Sequence, residues 1–167
     1  MNPMHRIAAM LAPVVLLATP MAASAADAPA GHIFVNSADL KWGPAPPVLP
    51  KGAKLAVLYG DPGKAGQYVM RLMAPANYKI APHWHSQAEN LTIISGTLDL
   101  GEGDKMEMTK AHALKAGGYH YLPGKAHHYA FTKSPTVVQI SGEGPFDITY
   151  INPDDDPSKA AKKPSPG

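Results

Sequence analysis

The chain has 167 residues, a formal net charge of +2 and no cysteine. That length suits a single domain. The near-neutral balance leaves no electrostatic case for nucleic acid, and the missing thiols exclude disulfides, zinc–thiolate centres and thiol catalysis.

The first segment reads as a targeting sequence, not as fold. An apolar run over Ile7–Ala18 follows His5 and Arg6, and Ala23-Ser24-Ala25 fits the small-x-small rule for leader cleavage. The run is too short to span a membrane. The expectation is a signal peptide over residues 1–25, export to a periplasm or beyond, and a mature chain without a membrane span. Removal costs Arg6 and no acidic residue, so the net charge goes from +2 to +1. An N-terminal extension over residues 26–53 follows, rich in proline from Pro44 to Pro50.

From residue 54 to residue 152, proline and glycine punctuate short runs rich in Val, Ile, Tyr and Thr, the pattern of an all-β barrel or sandwich. Strands are predicted near His32–Asn36, Lys54–Tyr59, Gln67–Ala74, Lys79–Ala81, Asn90–Ser95, Thr97–Gly101, His112–Lys115, His120–Leu122, His127–Thr132, Val137–Gly142 and Phe146–Ile151. Gly103–Ala111 has room for one helical turn. Ser95-Gly96-Thr97 reads as a hairpin turn. Leu122-Pro123-Gly124-Lys125 suits a type II turn with proline second and glycine third. In Gln67–Ala74, Tyr68, Met70 and Leu72 alternate with Val69, Arg71 and Met73. Arg71 is the one arginine outside the leader; facing inward it is an anion anchor, facing outward a surface charge. The tail over 153–167, rich in Pro, Asp and Lys, is predicted to be disordered.

The chemistry concentrates in Pro82–Gly96. His83, His85 and Glu89 share one parity, so an extended segment can aim all three side chains at one point. Two imidazoles and a carboxylate around one point suit a divalent transition metal. His32, His112 and His120 have no such company and read as surface or packing residues.

The spacing carries further. His85, three residues, Glu89, six residues, Gly96 matches the first motif of the cupin superfamily, and Gly117, five residues, Pro123, four residues, His128 matches the second. The chain therefore resembles a small single-domain cupin over about Leu55 to Ile151. Three positions depart from the pattern. Asn77 stands where the first motif opens with glycine, Lys125 takes the glycine slot after Pro123, and Thr132 stands where the second motif ends in asparagine. Gly124, one residue early, raises a question of register between His127 and His128. Adjacent strand residues point oppositely, and His128 keeps its spacing to both Pro123 and Gly117.

The resemblance implies a double-stranded β-barrel (jelly roll) holding one metal on His83, His85, Glu89 and His128. Nitrogen and oxygen donors without sulfur admit Mn, Fe, Ni, Co, Cu or Zn; no other cofactor is expected. Tyr68, Tyr121 and Tyr129 are candidate catalytic residues, each able to bring a hydroxyl near a ligand as a general acid or hydrogen-bond donor. Gln87 and Asn90 flank Glu89 as possible partners of it. The implied function is a metal-dependent enzyme of dioxygenase, isomerase or lyase class on a small oxygen-rich molecule. The alternatives are a non-catalytic periplasmic carrier or sensor of metal or small ligand, and a structural barrel that binds no metal. Cupins commonly pair through sheet faces or an exchanged N-terminal strand, so a homodimer using His32–Trp42 is expected.

Overall fold

The computed structural model describes residues 31–160; the leader expected over residues 1–25 lies outside them, as do residues 161–167. Eleven strands follow in chain order: β1 Gly43–Pro44, β2 Lys54–Tyr59, β3 Gly66–Ala74, β4 Lys79–Trp84, β5 Glu89–Ser95, β6 Thr97–Glu102, β7 His112–Lys115, β8 Tyr119–Leu122, β9 His128–Thr132, β10 Thr136–Gly144 and β11 Thr149–Tyr150. They form two antiparallel sheets, β1-β2-β3-β10-β5-β8 and β11-β4-β9-β6-β7. This is the all-β jelly roll that the resemblance implies. No helix among the described residues is long and apolar enough to cross a membrane.

The two sheets close on an aliphatic core. β3 shows why: Tyr68, Met70, Leu72 and Ala74 are buried while Val69, Arg71 and Met73 are half-buried on the other face. Across the sheet β10 holds the same alternation, in register from Thr136 opposite Ala74 to Gly144 opposite Gly66. Period-two patterning thus fixes which face each residue takes. Arg71 lies on the outer face, where Nε donates to Gln139 Oε1 at 3.1 Å and Nη1 to Ser37 Oγ at 3.3 Å.

Several local expectations are corrected. Gly96 does not close a hairpin, because β5 and β6 belong to different sheets. Its φ of 78° turns the chain through a corner so tight that a Cβ there would sit 2.4 Å from the Pro135 carbonyl oxygen. The turn after Leu122 lies one residue later than read: Ala126 N–H donates to the Pro123 carbonyl at 3.1 Å, and Lys125 takes the left-handed φ of 65°. Residues 32–36 pair with no strand, and a 3-10 turn follows at Ser37–Asp39. The expected helical turn within Gly103–Ala111 is a 3-10 turn at Met108–Lys110. In the tail, Pro153–Asp155 forms a 3-10 turn and Pro157–Ala160 a short helix, α1.

Both glycine-slot departures have one physical reading. Asn77 (φ 58°) and Lys125 (φ 65°) hold the left-handed backbone that glycine would supply. Lys125 therefore keeps the motif in register, and Gly124 does not shift it. Thr132 also has a defined job: its hydroxyl donates to the Pro75 carbonyl at 2.6 Å and accepts from Tyr78 N–H at 3.2 Å, pinning the turn before β4.

Candidate metal centre

β4 and β9 are neighbours in one sheet, and His83 faces His128 directly across their ladder. His85 follows one residue beyond the end of β4, and Glu89 opens β5 in the opposite sheet. All four side chains are buried. One ligand atom from each of His83, His85 and His128 lies within 4.8 Å of the others, a group that could hold a metal ion. The ring centroids are 4.1 Å apart for His83–His128 and 5.0 Å for both His83–His85 and His85–His128. Glu89 stands beside that group, with Oε2 at 3.6 Å from His85 Nε2.

The backbone sets the ring chemistry. Nδ1 of His83 lies 2.7 Å from the Ala81 carbonyl oxygen and Nδ1 of His128 lies 3.1 Å from that of Ala126, each two residues back along the chain. Nδ1 of His85 meets the Asp147 carbonyl. A carbonyl can only accept, so a neutral ring donates from Nδ1 and leaves Nε2 bare, the form a metal ligand needs. Burial, reinforced by the neighbouring imidazoles, pushes the His83 pKa down to about 2. Burial also lowers His128 to about 4, against a counteracting bond to Ala126. Burial raises Glu89, and His85 opposes that rise. At neutral pH His83 and His128 are therefore uncharged donors. Bare imidazole nitrogens, a carboxylate and no sulfur fit a divalent transition ion.

Residues 146–147 hold His85 in place. The Asp147 carboxylate accepts from Ser86 N–H at 2.8 Å and from Ser86 Oγ at 3.0 Å. The Phe146 ring lies 5.3 Å from the His85 ring, tilted by 31°. On the other side, Lys125 N–H donates to the His85 carbonyl at 2.8 Å. Sequence reasoning passed over Asp147: it stands 61 positions from Ser86 in the chain, and no motif marks it.

The three candidate tyrosines part company. Tyr129 is buried, but its hydroxyl donates to the Glu107 carbonyl at 2.7 Å and its ring covers Gly101, where a Cβ would lie 2.2 Å from Cζ. It faces away from His128 and seals the 103–111 loop onto the sheet. Tyr121 is exposed and pairs with Asn90 on the outer face of β5. Tyr68 faces inward and lines a small recess with His85, Glu89 and Asp147; burial, with Glu89 and Asp147 nearby, raises its pKa. His127, the other register option, is exposed and pairs through Nδ1 with Asp104. Among the flanking polar residues, Gln87 borders the recess, while Asn90 points outward and accepts from the Tyr119 hydroxyl at 2.6 Å.

The histidines open on the barrel lumen, lined by Met70, Leu72, Leu100, Ile140, Phe146 and other apolar side chains. The free volume there is small, about 50 Å³.

Residues 20–149 match the family described as Domain of unknown function (DUF4437). The chain belongs to this family, and its fold is the cupin fold. No curated protein matches this cupin. Among solved structures it is similar to the polyketide cyclase RemF from Streptomyces resistomycificus, at 15% identity and TM-score 0.62 over 80% of this chain and 95% of that one. An acetylacetone dioxygenase from Acinetobacter johnsonii matches at 15% identity and TM-score 0.57, over 75% and 80%. An RmlC-like cupin from Ralstonia eutropha matches at 17% identity and TM-score 0.56, over 73% of each chain. At these identities the likeness is one of fold.

Proposed function

We propose that this cupin is a metal-dependent enzyme acting on a small molecule that presents oxygen donors to the ion, with His83, His85, His128 and Glu89 as the ligands of one divalent transition ion. The observation that carries the reading is the common tautomer: three buried rings whose Nδ1 atoms all meet carbonyls and whose ligand atoms converge beside a carboxylate. When bound, such an ion supplies Lewis acidity or, if redox-active, dioxygen chemistry. The protein's part is to hold the site rigid and to exclude bulk water with the aliphatic lumen. A dioxygenase, isomerase or lyase fits this division of labour. Export fits the leader pattern of residues 1–25. A homodimer is supported by Ile33, Phe34 and Val35, which stand exposed on a segment that joins neither sheet among the described residues.

One feature favours a second reading. The three histidines and Glu89 are the only titratable groups that line the lumen among the described residues, which also suits a carrier or sensor without turnover. Elemental analysis of the purified protein and of His85→Ala tests the metal, and oxygen uptake with small dicarbonyls tests turnover. One equivalent of metal in the wild type and a severe loss in the variant are expected; equal metal in both would end the assignment.

A further inference from the structure

The lumen is chemically one-sided. At one end stand the three histidines and Glu89. Among the described residues every other lining side chain is apolar, including Leu72, Leu91, Leu100, Val138, Ile140 and Ile148. No hydroxyl, amide or cationic side chain of the described residues takes part in that wall. Every lysine whose burial is described is exposed, and Arg71 is spent on Gln139 and Ser37 on the outer face. A second polar group on a bound molecule would thus lose its water and find no partner. A second anionic group would also lack a counter-charge.

We propose that this lumen takes a molecule with a single oxygen-bearing head, set at the histidine end, and a short hydrocarbon body, and that it rejects sugars, phosphate esters and dicarboxylates. The body is short because the free volume is small, about 50 Å³, where a cavity of about 150 Å³ holds one benzene ring. The inference rests on the metal-site reading for the head and on the wall alone for the body.

Alkyl hydroxamates of increasing length, titrated into the cobalt-loaded protein and followed by cobalt absorption, separate the two. Affinity is expected to rise about fourfold per methylene buried and to level off within the first few carbons, once the lumen is filled. A polyhydroxylated hydroxamate and the monohydroxamate of succinic acid are expected to bind at least about tenfold more weakly than the alkyl compound of equal length. A series that is flat in chain length, or polar members that bind as well as alkyl ones, overturns the substrate class and leaves the metal site standing. Failure of the protein to take up cobalt overturns the metal reading, and the inference with it.

Discussion

Replacing Asp147 with alanine removes a carboxylate that touches no ring of the histidine cluster, yet the cluster should respond. Two hydrogen bonds from Ser86 disappear, at 2.8 and 3.0 Å. At about 1 kcal/mol each, the fold loses about 2 kcal/mol, or roughly 5–10 °C in Tm for a domain of this size. The larger effect is on orientation. Ser86 directly follows His85, and the Asp147 carbonyl fixes the His85 tautomer, so freeing the 85–86 link from the 146–147 link lets the ring turn. Loss of such supporting partners typically lowers metal affinity about 10- to 100-fold. Cobalt titration against a competing chelator reads that loss directly. Asp147→Asn keeps an acceptor at the Oδ1 position and should recover most of the affinity. An Asp147→Ala protein that melts lower but binds cobalt as tightly as wild type would refute the reasoning, leaving Asp147 a purely structural tie.

Gly101→Ala would drive a Cβ to 2.2 Å from Tyr129 Cζ; overpacking of about 1–3 kcal/mol is expected, and chemical denaturation should show it relieved when Tyr129 is also made alanine. Lys125→Gly keeps the amide that bonds the His85 carbonyl and removes a left-handed non-glycine residue, so a gain of up to about 1 kcal/mol is expected in thermal melts. In the metal-free protein the lowered pKa values of His83 (about 2) and His128 (about 4) against an unfolded value of 6.5 mean that the unfolded chain binds protons first. Stability then falls as pH drops from 6.5 through 4. Glu89, raised above 4.5, acts in the opposite sense, so urea melts of Glu89→Gln isolate the histidine slope; a flat profile between pH 7 and 4.5 would contradict the buried neutral rings.

His83, His85 and Glu89 were legible as a cluster because they are close in the chain, and Pro123 with Gly117 marks His128; the single extended segment expected for the first three is not what joins them, since the chain bends after His85 and Glu89 opens a strand of the opposite sheet. The left-handed turn at Lys125 decides between His128 and His127, and backbone dihedrals are not written in residue names where glycine is absent. The tyrosines were ambiguous for a related reason. Tyr129 follows an inward histidine and so points outward, toward Gly101, whereas Tyr68 and Tyr121 lie on strands whose phase is set by partners distant in the chain, β10 and β5. The corner at Gly96 was misread because one glycine between two strand-like runs serves a hairpin and a sheet-to-sheet crossing equally well. Asp147 left no trace, since its role exists only when residues 86 and 147 meet.

The pairing of His83 with His128 across β4 and β9 makes the centre a gauge of assembly. A slip of one position would turn one imidazole out of the barrel while the backbone ladder stayed almost intact. Ordinary probes of secondary structure would barely see such an error. An ion would see it at once, because its affinity depends on side chains joined only when two strands 45 positions apart in the chain have met in the right phase. On the metal-site proposal, uptake during refolding would timestamp barrel closure, and slow or partial uptake would mark molecules that have collapsed with that ladder out of step.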